Sequence, residues 1–144
     1  FLEEFQSREG TLVGFCVLGG IFSEGVDLIG ESLIGAIIVG TGLPQIGSER
    51  EILKEYYDRK KQSGFDYAYR YPGMNKVLQA AGRVIRTRED HGVILLLDER
   101  FRQREYSNLF PVEWNDRKTC TLSNVEAQLQ KFWESIPDKI SHKL

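Results

Sequence analysis

The chain has 144 residues, of which 41% are hydrophobic and 28% are charged, and its formal net charge at pH 7 is −2. These values suit one globular domain or part of a larger one, and they exclude a disordered or collagen-like chain. Every apolar run is shorter than the about 18 residues of a membrane span, and the first residues show no secretory signal. With two cysteines, the chain is expected to be cytoplasmic, without a disulfide framework or a membrane partner.

Three short, continuously apolar runs predict buried β-strands at residues 12–18, 33–39 and 93–97. Their continuous rather than alternating pattern is typical of a parallel sheet that is covered on both faces. Cys16 lies within the first run and is therefore predicted to be a small core side chain.

A first helix is predicted between the second and third strands. Residues 48–51, Ser-Glu-Arg-Glu, resemble a capping box, in which a serine and a glutamate satisfy backbone N–H groups at the start of a helix. The helix is expected to run to about residue 63 and to end at Gly64, a residue suited to a left-handed cap.

Two further helices are predicted. One starts after Pro72 and runs to about residue 86, and the other opens with a capping box at residues 123–126 and ends before Pro137. The alternation of strands and helices indicates an α/β fold with a mostly parallel sheet. Because three strands are few for such a sheet, we expect the chain to be the C-terminal portion of a larger protein.

The second predicted helix carries two distinct stripes at about 100° per residue. The apolar stripe, expected to face the sheet, consists of Met74, Leu78, Ala81 and Ile85. The other stripe carries Gln79, Arg83 and Arg86. Guanidinium groups are planar donor forks that suit a phosphate whose charge grows in a transition state. From the residues alone, the alternative that these arginines merely complement the negative end of the helix dipole stays open.

A glycine-rich stretch at residues 19–28 directly follows the first predicted strand. Ligand sites of open α/β sheets lie beyond the carboxyl ends of strands, and glycine backbone can present N–H groups to a phosphate. Glu24 and Asp27 can accept hydrogen bonds from a ribose hydroxyl or an arginine. A tight turn in which Asp27 caps a helix or satisfies loop amides is an equally open alternative. The sequence has no Walker A loop, so it cannot form a primary ATP phosphate cradle by itself.

Residues 12–114 resemble the second motor domain of superfamily 2 DNA helicases of the DinG/XPD type. The segment GGIFSEGVDLIGESLIGAIIVGTGLP is similar to helicase motif V and the strand after it. The segment YPGMNKVLQAAGRVIRTREDHGVILLLDERF is similar to motif VI, the next strand and the Asp-x-Arg-Phe ending at residues 98–101. Residues 106–114 resemble the usual end of that domain. The DinG-like and XPD-like subfamilies both stay open.

The resemblance implies a RecA-like P-loop NTPase fold, with a mostly parallel sheet flanked by helices and shortened at its N-terminal side. Residues 1–144 would form the C-terminal portion of the second RecA-like helicase domain. The motif V region would span about residues 18–30, and motif VI would span about residues 79–86.

The motif VI match assigns catalytic roles to three residues by resemblance. Arg83 and Arg86 resemble the arginine fingers that reach the γ-phosphate of ATP from the second domain. Gln79 resembles the glutamine near the γ-phosphate and the attacking water. No residue of this chain is assigned to a metal.

The motif V match implies a link between nucleotide and DNA. Glu24, Gly25 and Asp27 resemble the residues that connect the nucleotide with motif VI. Gly20 and Ser23 would lie closer to the DNA backbone.

The resemblance implies an ATP-dependent DNA helicase that translocates on single-stranded DNA in repair or replication. ATP and Mg²⁺ would be bound mainly by the first RecA-like domain of the same polypeptide, so this chain alone is expected to be inactive. Some members carry an iron–sulfur cluster, which would lie outside this chain. The alternatives are a non-catalytic interaction or DNA-binding module with the helicase fold, or the motor part of a helicase-like exonuclease.

Overall fold

The computed structural model describes residues 10–20, 33–87 and 90–136. It divides into two compact units, residues 1–110 and residues 111–144. The elements described in the first unit are β1 (Gly35–Val39), α1 (Ser48–Arg59), a π-helical segment (Asp66–Arg70), α2 (Tyr71–Ala81), β2 (Val93–Leu97), a 3₁₀ segment (Glu99–Arg102) and α3 (Arg104–Ser107). Those of the second unit are a 3₁₀ segment (Val112–Trp114) and α4 (Val125–Glu134).

The strands β1 and β2 pair in parallel, with Gly35 opposite Val93 and Val39 opposite Leu97. Both strands are confirmed predictions, although β1 begins two residues later than expected. A parallel pair needs a crossover connection, which α1 and α2 supply here. The N–H of Val93 also donates to the Ile34 carbonyl at 3.0 Å, which fixes where the second strand begins.

The core of the first unit lies where α2 packs against β1. Met74, Val77 and Ala81 of the helix are buried, as is Ile38 of the strand. Met74 and Ala81 belong to the predicted apolar stripe, so that part of the prediction is confirmed. The inclusion of Ile85 is wrong, since its side chain is 45% exposed. The helix ends at Ala81, and beyond that point helical periodicity no longer sets which way a side chain points.

The strand predicted at residues 12–18 is wrong. This described segment contains no strand, and Val13, Phe15 and Val17 are all exposed. A strand forms only by hydrogen bonding to a neighbour, and the described sheet consists of β1 and β2 without this segment. For the same reason the prediction that Cys16 is a core residue is wrong, since it is exposed.

The apolar runs predicted a sheet that is covered on both faces. The described residues do not cover both faces. Successive strand residues point to opposite faces, and in β1 Ile38 is 4% exposed whereas Ile37 and Val39 are 64% and 73% exposed. The helix α2 therefore covers one face of β1. On the other face, Leu97 of β2 is also exposed.

The capping box predicted at the start of α1 is wrong. Gly47 occupies the N-cap position, and Ser48 is already the first helical residue. The carboxylate of Glu51, expected to reach back to the helix start, instead accepts a hydrogen bond from the Tyr69 hydroxyl. A tertiary contact has therefore replaced the local one.

The predicted end of α1 is also wrong. The helix ends at Arg59, and the residue with left-handed backbone is Lys61, with φ of 56°. Gly64 is required for another reason, because a Cβ atom there would lie 2.1 Å from the Lys54 carbonyl oxygen. Its N–H donates to Asp58 Oδ1 at 2.8 Å.

In the second unit, α4 ends at Glu134, which agrees with the predicted end before Pro137. The capping box predicted at residues 123–126 is wrong, since the N-cap residue is Asn124 and it makes no side-chain cap bond. Its side-chain oxygen instead accepts a hydrogen bond from the Thr121 N–H at 2.8 Å. None of the helices in the described ranges is long and apolar enough to cross a membrane.

Candidate functional site

The candidate site lies where α2 ends and the chain turns back toward β2. Gly82 is the C-cap residue, and its N–H still donates to the Leu78 carbonyl at 2.9 Å. The next N–H, that of Arg83, donates to the Ala80 carbonyl at 3.2 Å, three residues back. Such bonds tighten the last turn of a helix and end it.

The predicted helical stripe of Gln79, Arg83 and Arg86 is therefore wrong in its geometry. Gln79 lies on α2, Arg83 lies in the turn after it, and Arg86 lies in the loop that follows. The structure nevertheless brings the three side chains together. Together with Gly82 they line an open depression of about 430 Å³.

The depression combines charge with accessibility. Arg83 is half-buried, whereas Gln79 and Arg86 are exposed. Two guanidinium groups and one amide thus border the same space, and all three are hydrogen-bond donors. Gly82 lies at the same surface and adds no side chain to it. The arrangement suits a ligand that is anionic and rich in acceptor oxygens.

Asp90 holds the backbone of the loop that carries Arg86. Its Oδ2 atom accepts the N–H of Thr87 at 2.8 Å and the N–H of Arg86 at 2.9 Å. These two bonds, the one from Thr87 first, lower the pKa of the Asp90 carboxyl below its ordinary value. Asp90 was not predicted from the sequence. The available signal was an aspartate in a short polar loop, a residue type that often bonds nearby backbone N–H groups.

The same loop is anchored in the core by Val84. This side chain is 3% exposed. It lies so close to Gly92 that a Cβ atom added to Gly92 would stand 2.3 Å from Val84 Cγ1. Arg86 therefore lies two residues after the buried Val84 and four residues before Asp90, which accepts its backbone N–H.

The Asp-x-Arg-Phe ending that follows β2 is a structural element. Asp98 Oδ1 accepts the backbone N–H and the Nε–H of Arg100, both at 2.9 Å, and Oδ2 accepts from Nη2 at 2.7 Å. The Arg100 side chain is the main reason that the pKa of Asp98 is lowered. Phe101 is buried beside Phe110, with 6.1 Å between the ring centroids. The motif thus closes the end of the strand.

The start of the glycine-rich stretch lies against α2. Gly19 has φ of 82°, and a Cβ atom on it would lie 3.0 Å from Cδ of Lys76. Gly20, predicted to lie near nucleic acid, is half-buried, and its N–H donates to the Val17 carbonyl at 2.9 Å. Lys76 was not singled out from the sequence, although it precedes Gln79 by one helical turn.

The remaining predicted motif V residues lie outside the described residues: Ser23, Glu24, Gly25 and Asp27. Their predicted roles stay predictions. Among the residues that the structure does describe, no three His, Cys, Asp or Glu side chains are grouped closely enough to hold a metal ion.

The parallel β1–β2 pair and its crossover helices form an α/β domain, which agrees with a RecA-like fold. Residues 1–117 match the family model described as the helicase C-terminal domain. The chain belongs to this family, the C-terminal domain of DinG/XPD-type superfamily 2 helicases.

Several curated helicases are similar to the chain. It is 31% identical to a regulator of telomere elongation helicase 1 homolog from Drosophila ananassae, over 93% of this chain and 15% of that protein. The homolog from Caenorhabditis elegans is 34% identical over 84% of the chain and 13% of its own length. A probable ATP-dependent helicase from Methanocaldococcus jannaschii is 32% identical over 69% of the chain and 17% of its own length. The chain therefore spans less than a fifth of these relatives.

Proposed function

We propose that this chain supplies the second-domain half of the ATP site in a DNA helicase that translocates on single-stranded DNA in repair or replication. The observation that carries the proposal is the depression shared by Gln79, Arg83 and Arg86. The family and the helicase relatives support the same reading.

The donor set of the depression fits a phosphate group. In this proposal Arg83 and Arg86 donate to the γ-phosphate oxygens, whose charge is stabilised during transfer, and Gln79 orients the attacking water. The depression is open, as expected of a half-site that a second surface completes. That surface would be the first RecA-like domain of the same polypeptide, which would hold most of the ATP and its Mg²⁺. When bound, the Mg²⁺ would neutralise charge on the β- and γ-phosphates.

The motor action follows from the division of the site between two domains. Arg83 and Arg86 contribute to hydrolysis only when the cleft is closed, so nucleotide binding favours the closed state and hydrolysis releases it. Opening and closing would move the protein along a strand held through its phosphates. In this proposal Glu24, Gly25 and Asp27 link the nucleotide to motif VI, while Gly20 and Ser23 lie near the DNA backbone. An isolated chain would be inactive.

The test is Arg86→Ala in the complete polypeptide. An arginine finger contributes about 10³–10⁵ in rate, so DNA-stimulated ATP turnover should fall about 10³-fold or more while ATP binding is kept. Arg59→Ala is the matched control, because Arg59 lies on the exposed end of α1 and is 81% exposed. Wild-type turnover in Arg86→Ala would contradict the arginine-finger role. A wild-type polypeptide that binds DNA without hydrolysing ATP would favour the non-catalytic module.

A further inference from the structure

Arg86 lies outside any helix. The helix α2 ends at Ala81 and β2 begins at Val93, so the Arg86 backbone is not held by helical hydrogen bonds. An arginine side chain is long and flexible, and its guanidinium reaches a fixed point only if its Cα is fixed. Some other contact must therefore hold this backbone if Arg86 acts at a defined position.

Asp90 supplies that contact. One carboxylate oxygen, Oδ2, accepts two consecutive backbone N–H groups, those of Arg86 and Thr87, at 2.9 Å and 2.8 Å. Hydrogen bonds to an ionised acceptor are roughly twice as strong as neutral ones. Both bonds act on the peptide units that flank the Arg86 Cα atom, so they constrain its position directly.

Asp90 is itself tied to the core. It is half-buried and precedes Gly92 by two residues, and Gly92 lies in close contact with the buried side chain of Val84. The next residue, Val93, enters the parallel sheet through its N–H bond to Ile34. The carboxylate thus connects the Arg86 backbone to the point where β2 starts.

We infer that Asp90 is a positioning residue that holds the Arg86 backbone so that its guanidinium reaches the phosphate. This inference rests on the proposed function, in which Arg86 acts on the γ-phosphate. The pKa of Asp90 is lowered mainly by the hydrogen bonds from the Thr87 and Arg86 N–H groups, the direction expected where backbone donors stabilise the ionised carboxylate. A misplacement of about 1 Å can cost about 100-fold in rate, so loss of Asp90 should reduce turnover more than nucleotide binding.

The experiment compares ATP turnover of Asp90 variants in the complete polypeptide. Asp90→Ala should lower kcat about 10- to 100-fold with little change in the KM for ATP. Asp90→Asn keeps an acceptor oxygen and should recover part of that loss. Asp58→Ala is the matched control, because Asp58 also accepts a backbone N–H, that of Gly64, on a different part of the surface. Its turnover should match that of the wild type.

A double variant separates positioning from a general structural effect. If Asp90 acts through Arg86, adding Asp90→Ala to Arg86→Ala should lower kcat no further than Arg86→Ala alone. Wild-type kcat in Asp90→Ala, or an equal additional loss in the double variant, would overturn the inference and leave the arginine finger intact. Wild-type turnover in Arg86→Ala would instead overturn the proposed function.

Discussion

Gly73 in the first turn of α2 lies directly against the backbone of Thr41, so that a Cβ atom on Gly73 would stand 2.6 Å from the Thr41 carbonyl oxygen. The contact is mutual, because a Cβ atom on Gly42 would lie 2.7 Å from the Gly73 carbonyl oxygen. Two stretches of backbone therefore meet without side chains between them. This approach sets the start of α2 against the end of β1, and the opposite end of the same helix carries Gln79.

The Gly73 contact predicts a loss of stability in Gly73→Ala. The added methyl group meets backbone that cannot move as a flexible side chain would, and overpacking of this kind costs about 1–3 kcal/mol. The measurement is the free energy of unfolding from urea denaturation. Gly35→Ala is the matched control, since the nearest atom to its Cβ position is the Val93 carbonyl oxygen at 3.4 Å. Equal stability of Gly73→Ala and the wild type would show that the two backbones separate at little cost.

The end of α1 predicts opposite effects at two positions. Lys61→Gly should be neutral or stabilising by up to about 1 kcal/mol, because a non-glycine residue with φ of 56° is strained by about 1–2 kcal/mol and glycine is not. Gly64→Ala should destabilise, since its methyl group would overlap the Lys54 carbonyl. Thermal unfolding of both variants tests this pair. Destabilisation by Lys61→Gly would contradict the left-handed backbone at that position, and tolerance of Gly64→Ala would contradict the close approach of Gly64 to the Lys54 carbonyl.

The Asp98–Arg100 pair predicts a dependence of stability on pH. The pKa of Asp98 is lowered in the folded chain, mainly by its hydrogen bond to Arg100. The unfolded chain then binds more protons between the folded pKa and the ordinary value of about 3.9, so stability rises with pH across that window. The contribution is complete above the ordinary value and is lost as the pH falls through the lowered one.

Urea unfolding of Asp98→Asn at several pH values tests this dependence. The variant should be less stable than the wild type at pH 7, and the difference should shrink as the solution is acidified toward and below about pH 4. Asp116→Asn, at an exposed position of the second unit, is the control. A difference between wild type and Asp98→Asn that does not change with pH would refute the ionic origin of the contact.

Two predictions concern the candidate site. Arg86→Ala should nearly abolish turnover, and Asp90→Ala should lower it less severely by displacing the Arg86 backbone. The loss of turnover in Asp90→Ala should not exceed that in Arg86→Ala, because a positioning residue cannot contribute more than the residue through which it acts. Both are measured as kcat and KM for ATP on the complete polypeptide.

The sequence predicted both strands of the described sheet and part of the buried face of α2, where the local apolar pattern is strong. The runs at residues 33–39 and 93–97 are paired parallel strands, as expected. Met74 and Ala81 are buried on the sheet-facing side of α2. The run at residues 12–18 has the same apolar character and yet contains no strand. Apolar composition reports a preference for burial, whereas a strand also requires hydrogen bonds to a neighbouring strand, and in the described sheet this segment makes none.

What the sequence determined by itself is the family and which side chains are grouped at the candidate site. Gln79, Arg83 and Arg86 are four and three residues apart. This spacing would make them neighbours on a helix, and they are also neighbours in the observed structure, where a turn follows α2. Their grouping therefore survived an error in the predicted end of α2. The motif matches likewise depend on residue identity and order, which no tertiary contact alters.

Only the tertiary structure decided where α2 ends and what holds Arg86. Helical periodicity would continue to residue 86, but burial of Val84 against Gly92 and the hydrogen bonds to Asp90 stabilise a different backbone path. The contact of Val84 with Gly92 joins the start of the loop to the residue before β2. The hydrogen bonds of Asp90 join the end of the loop to its middle. Their energies depend on positions in space rather than on local propensity, and so they could not be deduced from the order of residues along the chain.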